Sequence, residues 1–190
     1  MSVANRFSKS QHVLADVLTC CNLTSGIAAT LLPGEGRPVR RSTLILLGAV
    51  CDTLDGPLAR RSGSPTEFGA AADGVADLIS FGIAPAALLA SCDSTRRRPS
   101  STLAPGFYAV AGAWRLVRYG TGPRTSHVFR GLPLTGAGIM LATGCHARVP
   151  PRALRYLAVA LGIAMVSQVR VPSGEAFVRR DATLSIRGSQ

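Results

Sequence analysis

Aromatic residues make up only 5% of this 190-residue chain, and charged residues only 16%. With so few rings there is little on which bases could stack, so the excess of basic over acidic residues, 21 against 10, does not point to nucleic acid. The five cysteines are scattered and include no C-x-x-C pair, which excludes a disulfide scaffold and leaves them as reduced packing residues. His12, His127 and His146 are isolated, form no ligand spacing with those cysteines, and read as loop or interface residues. Apolar and polar residues do not alternate persistently enough for a barrel, and there is no internal repeat. No small-residue cleavage site follows the first apolar run, so that run is expected to be retained.

What the chain does have is apolar sequence, 47% of it hydrophobic, gathered into runs. Residues 17–34 form an uncharged stretch of 18, 78–92 one of 15, and 99–114 one of 16. Residues 131–147 add 17 without a full charge and 156–169 add 14, while 42–61 begins apolar and runs into Asp52 and Asp55. A helix needs about 20 mostly apolar residues to cross a hydrocarbon core, so these runs span it if flanking arginines snorkel outward. Gly and Pro with nearby arginines punctuate the gaps at 32–41, 62–65 and 96–99, and each such break ends a helix and anchors it by charge. The expectation is an all-α fold: a polytopic membrane bundle of about six transmembrane helices. It forms one domain over 1–190, with a short polar N-terminus at 1–12 and a C-terminal tail at 171–190. Its basic surface is suited to anionic lipid, and the Arg96–Arg98 cluster reads as a headgroup anchor. With the N-terminus inside, 12 basic residues face the cytoplasm and 9 the other side, which favours that orientation.

Five of the ten acidic residues fall between Asp52 and Asp77, inside or beside two apolar helices. An ionised carboxylate at membrane depth costs about 2.5 to 3.5 kcal/mol on insertion scales, so such residues mark a water-filled site or a cation. Asp52 and Asp55 are three apart, and Asp73 and Asp77 four apart, so each pair shares a helix face. If the two helices are neighbours, four carboxylates converge and call for a hard divalent cation with oxygen ligands, Mg²⁺ or Mn²⁺. Structural ion pairs are the plainer explanation, but Arg60 and Arg61 are too few to neutralise four acids. Gly69 lies on the face of Asp73 and Asp77, Gly56 and Ala59 leave room beside the acids, and Arg60 adds a planar fork suited to phosphate or pyrophosphate. A cation channel would also use the acids, but an arginine beside the path disfavours cation passage.

The string reads Asp52-x-x-Asp55-Gly56-x-x-Ala59-Arg60, then eight residues, then Gly69-x-x-x-Asp73-x-x-x-Asp77. It resembles the signature of the CDP-alcohol phosphotransferases, D-x-x-D-G-x-x-A-R-x8-G-x-x-x-D-x-x-x-D, with every specified position filled. Within that family the chain is most similar to the phosphatidylserine synthase branch. The similarity extends through Thr19-x-x-Asn22, Gly26, the TEFG at 66–69, the ADLISFGIAPA at 76–86, Arg115-Leu-Val-Arg118-Tyr119, Phe129-Arg130-Gly131-Leu132-Pro133 and the VRVPS at 169–173. Asp16, Gly74 and Gly120 stand where that branch usually carries Asn, Ser and Asn.

The resemblance implies a metal-dependent enzyme that transfers a phosphatidyl group from CDP-diacylglycerol to L-serine and releases CMP. Two Mg²⁺ or Mn²⁺ ions would sit on Asp52, Asp55, Asp73 and Asp77, with Asp77 also the base toward the acceptor hydroxyl. Thr19, Asn22, Gly56, Ala59, Arg60 and Gly69 would bind the CDP donor. Arg115, Arg118 and Arg130 would bind the acceptor, and they suit a carboxylate or a phosphate alike, so glycerol phosphate, inositol phosphate or a specialised hydroxylated metabolite stays open as the alcohol. The resemblance also implies a homodimer in contact with membrane lipids and an active site facing the cytoplasm. If Ala59 lies against the donor nucleotide, Ala59→Leu should raise the KM for CDP-diacylglycerol well above its effect on the acceptor KM. Steady-state kinetics with each substrate varied would check this, and equal shifts in both constants would remove Ala59 from the donor site.

Overall fold

Apolar runs punctuated by Gly and Pro form helices in the order expected of them. The computed structural model describes residues 3–32, 38–61, 67–92, 100–120, 129–130, 132–167 and 170–171, with side chains over 13–32, 38–55, 69–92, 102–118 and 132–167. Helix α1 spans Val3–Leu31, and α2 spans Pro38–Arg61, opening on a proline whose missing N–H costs nothing in the first turn. Helix α3, Glu67–Asp77, continues through a π-helical turn at Leu78–Ile83 into α4, Ala84–Ser91, so these three segments make one rod. Helices α5 (Ser100–Gly120), α6 (Leu134–His146) and α7 (Pro151–Val166) follow. Six rods therefore make up the described bundle, in keeping with the all-α expectation. One two-residue ladder is added to it, β1 (Phe129–Arg130) antiparallel to β2 (Arg170–Val171), which the sequence did not announce.

Among the described residues, two segments are long and apolar enough to cross a bilayer, Val13–Leu31 and Gly69–Ser91. The second is longer than the run at 78–92 because it takes in Asp73 and Asp77, the residues that cut the uncharged run short. The bundle turns its apolar bulk outward: Leu103, Val110, Trp114, Val117, Tyr156 and Ile163 are all more than half exposed. Its interior is built from alanines with Phe81, Leu88, Tyr108, Leu134, Leu154 and Met165, and it also encloses Asn22, Arg41, Ser42, Asp55, Ser80 and Arg115. Small residues and enclosed polar groups inside, with large apolar ones outside, are what a lipid solvent selects.

The π turn has an identifiable cause. Pro85 has no N–H to return to the carbonyl four residues back, that of Phe81, so the helical ladder is broken at that point. The fully buried Tyr108 of α5 supplies the missing donor, its hydroxyl giving a 2.8 Å hydrogen bond to the Phe81 oxygen. Tyr108 is thus a structural donor inside the bundle, while Trp114 faces outward and the partly exposed Phe107 lays its ring against Gly162 of α7. Glycines on two other helices close on the same turn. A Cβ at Gly26 of α1 would stand 2.7 Å from the Ser80 Cα, and one at Gly138 of α6 would stand 2.9 Å from the Phe81 Cβ.

The end of the bundle away from the carboxylates is held by side chains. Arg41, which the sequence presents as a loop anchor, is buried and donates to the carbonyls of Leu32 and Thr30 at the end of α1 and to that of Ala87 in α4. A cation there completes helix ends whose own carbonyls lack partners. Ser42 shares a hydrogen bond with His146 at 3.3 Å, and the sulfurs of Cys92 and Cys145 lie 3.0 Å apart across the ends of α4 and α6.

Adding one methyl group where α1 meets the π turn should separate the two. Gly26→Ala is expected to destabilise the protein by about 1 to 3 kcal/mol, measurable as a lowered Tm in detergent. An unchanged Tm would mean that α1 can shift away without loss.

Candidate active site

The carboxylates lie where three helices meet. Asp52 and Asp55 project from one face of α2, and Asp73 from α3. One carboxylate oxygen from each lies within 4.8 Å of the others. Asp55 is buried, and Asp52 and Asp73 are half-buried. Asp77, one turn beyond Asp73, borders this trio beside Asp52. The convergence expected from the spacing is thus present for the first three acids, with the fourth at its edge.

Helix α1 serves the acids from the other side. Thr19 donates from Oγ1 to Asp55 Oδ2 at 3.1 Å, and Asn22 donates from Nδ2 to Asp77 Oδ1 at 3.4 Å. Asn22 is itself fixed, since its backbone carbonyl accepts a 2.9 Å bond from Ser80 of the π turn. Gly48 makes room for it, as a Cβ there would stand 2.9 Å from Asn22 Oδ1. The π turn therefore positions the site as well as bending the rod: Ser80 holds Asn22, and Asn22 holds Asp77.

Whether these residues suit a cation can be judged from their own valences. Asp73 Oδ1 is buried and accepts no hydrogen bond, and Asn22 Oδ1 is in the same position. A buried acceptor without a donor costs about 1 to 3 kcal/mol, and more when charged. Three hard, anionic oxygen donors in mutual reach, one with an unsatisfied oxygen, fit Mg²⁺ or Mn²⁺ and suit softer metals poorly.

The remaining expected site residues are distributed as follows. Gly69 is half-buried in the first turn of α3. Gly56, Ala59 and Arg60 lie on the last turns of α2, which runs helical through Pro57, and their side chains fall outside the described residues. Arg115 is buried on the face of α5 that also carries Tyr108, Ala111 and Gly112. Gly112 packs against Leu134 and Gly82, and Arg115 stands three residues, just under one turn, further along α5. Arg118 is engaged elsewhere: Nη1 donates to the Val166 carbonyl at 3.0 Å and Nη2 to those of Met165 and Ser167 at 3.5 Å. Those bonds close the end of α7, a role the sequence did not indicate. Arg130 lies in β1, and its side chain falls outside the described residues.

Sequence reasoning also missed Thr135. From the first turn of α6 it donates through Oγ1 to Asp52 Oδ2 at 3.1 Å. It stands 83 residues from Asp52, and no spacing rule connects the two.

Comparison with known proteins converges on one family. The CDP-alcohol phosphatidyltransferase domain matches residues 12–169. The CDP-diacylglycerol–serine O-phosphatidyltransferase of Methanocaldococcus jannaschii is 31% identical over 159 residues, 84% of this chain and 73% of that protein. The archaetidylserine synthase of Methanothermobacter thermautotrophicus is 30% identical over 165 residues, 84% of this chain and 69% of its own. A CDP-diacylglycerol–serine O-phosphatidyltransferase of Mycobacterium tuberculosis is 29% identical over 137 residues, covering 68% of this chain and 48% of that one. The signature string, the clustered carboxylates and the extent of these matches lead to one conclusion: this chain is an enzyme of the CDP-alcohol phosphatidyltransferase family.

Proposed function

We propose that the enzyme transfers a phosphatidyl group from CDP-diacylglycerol to L-serine, forming phosphatidylserine and CMP. The carrying observation is the meeting of Asp52, Asp55 and Asp73 within 4.8 Å, with Asp77 and its Asn22 partner at the edge. Serine as acceptor is supported by the names of the relatives, one of which pairs it with an archaeal lipid. The same reading takes the protein as a multi-pass homodimer with this site toward the cytoplasm.

In the reaction the serine hydroxyl oxygen bonds to the phosphorus that carries diacylglycerol. The bond from that phosphorus to the bridging oxygen breaks, and CMP leaves. Asp52, Asp55, Asp73 and Asp77 would hold Mg²⁺ or Mn²⁺, which when bound offsets the charge of the pyrophosphate and of the departing CMP. Asn22 keeps Oδ1 of Asp77 occupied as an acceptor, which orients the carboxylate so that its other oxygen can take the proton from the serine hydroxyl. Arg115 receives the serine carboxylate as a bidentate fork, with Arg130 on the strand beside the start of α6 as its partner. Arg118 keeps α5 and α7 together behind them, through the carbonyls it caps. Thr19, Asn22, Gly56, Ala59, Arg60 and Gly69 form the donor side. Thr19 and Asn22 reach it through the acids they bind, and Arg60 through its positive fork.

Removal of divalent ions should abolish CMP release from CDP-diacylglycerol and serine, with recovery on adding Mg²⁺ or Mn²⁺. Asp52→Asn, Asp55→Asn and Asp73→Asn should each raise the metal concentration needed for half activity. Full turnover after exhaustive chelation would overturn the metal assignment. A parallel acceptor panel, read as lipid product, should favour serine over glycerol phosphate and inositol phosphate.

The base and the clamp separate kinetically. Asp77→Asn should lower kcat by about 10² to 10⁴-fold, whereas Arg115→Ala should act mainly on the serine KM, as expected for uniform binding of ground and transition states. Near-normal turnover in Asp77→Asn would remove it as the base. An unchanged serine KM in Arg115→Ala would put the carboxylate clamp elsewhere.

A further inference from the structure

Thr135 joins Thr19 in bringing a hydroxyl to an aspartate of the site, but from another helix. Thr24, Thr30, Thr43 and Thr53 each return a hydroxyl to the carbonyl four residues earlier in their own helix, and Thr19 has such a carbonyl at 3.2 Å beside Asp55 Oδ2 at 3.1 Å. Thr135 sits second in α6, where no carbonyl of its own helix lies behind it, and its hydroxyl crosses to Asp52 Oδ2 at 3.1 Å. That hydroxyl approaches from α6, whereas Asp55 shares the helix of Asp52 and Asp73 comes from α3.

The lead-in to α6 fixes where Thr135 stands. Residues 129–130 pair with 170–171, the Leu132 N–H donates to the Ala164 carbonyl of α7 at 3.4 Å, and Pro133 then opens the helix. Leu134, next to Thr135, is buried against Gly112 of α5. The hydroxyl is therefore presented to Asp52 by packing independent of the acids.

We infer that Thr135 is a positioning residue for the cation site: its hydroxyl holds Asp52 in the orientation in which it meets a divalent ion. The inference rests on Asp52 being a metal ligand. A hydrogen bond to a ligating carboxylate fixes its orientation, and losing such a partner typically weakens metal affinity 10- to 100-fold. Thr135→Val keeps the shape of the side chain and removes the donor, while Thr135→Ser keeps the donor and removes a methyl group.

The test is direct Mn²⁺ binding by electron paramagnetic resonance on the purified full chain, comparing wild type, Thr135→Val, Thr135→Ser and Asp52→Asn, with Tm measured for each. Thr135→Val is expected to weaken Mn²⁺ binding about 10- to 100-fold at an unchanged Tm, to alter the bound-Mn²⁺ spectrum, and to regain turnover at raised Mn²⁺. Thr135→Ser should bind as the wild type does. If Thr135→Val binds Mn²⁺ normally while Asp52→Asn does not, the role of Thr135 is overturned and the cation site stands. If Asp52→Asn also binds normally, the metal reading itself falls. Equal losses in the Val and Ser variants, tracking a lowered Tm, would reduce Thr135 to packing and overturn the inference.

Discussion

Like charges held close together in surroundings that screen them poorly must be compensated, and much of this bundle is arranged around that requirement. Asp52, Asp55 and Asp73 bring oxygens within 4.8 Å of one another between helices that face lipid on their outer side. At such separations the repulsion is several-fold larger than in water. Neutral donors, Thr19, Asn22 and Thr135, take up part of the acceptor capacity. Asp73 Oδ1 is left without one. Such a set of hard oxygen donors is one that a divalent cation fits.

The arginines support this division of labour. Arg41 and Arg118 are turned to carbonyls at helix ends, one near the end of the bundle away from the acids and the other on α7. Arg115 is enclosed on the inner face of α5. The apolar exterior and alanine-rich interior let the rods approach closely enough for the carboxylates to share one site.

Much of this was legible in the sequence, for definable reasons. Gly, Pro and charge punctuate the helices locally, so the six rods could be counted, and three- and four-residue spacings placed each acid pair on one face. The length of the third rod was underestimated because Asp73 and Asp77, the residues of most interest, interrupt its apolar run. The bonds of Arg118 to the end of α7 were not legible, because a positive charge near a loop looks alike whether it meets a substrate or the end of another helix. Thr135 and Ser80 could not be found at all, since their partners, Asp52 and Asn22, come from other rods and a lone hydroxyl carries no pattern. Pro85 was visible, but its effect on Phe81 depends on a tyrosine one helix away.

That last contact bears on the order in which the protein is made. The segment Gly69–Ser91 leaves the ribosome before α5 does, and it enters the bilayer carrying a Phe81 carbonyl that Pro85 cannot satisfy. Hydrocarbon offers no substitute donor, so that carbonyl carries its desolvation cost until Tyr108 meets it. The rod that carries Asp73 and Asp77 thus draws part of its stability from α5, a part of the chain that lies after all four aspartates.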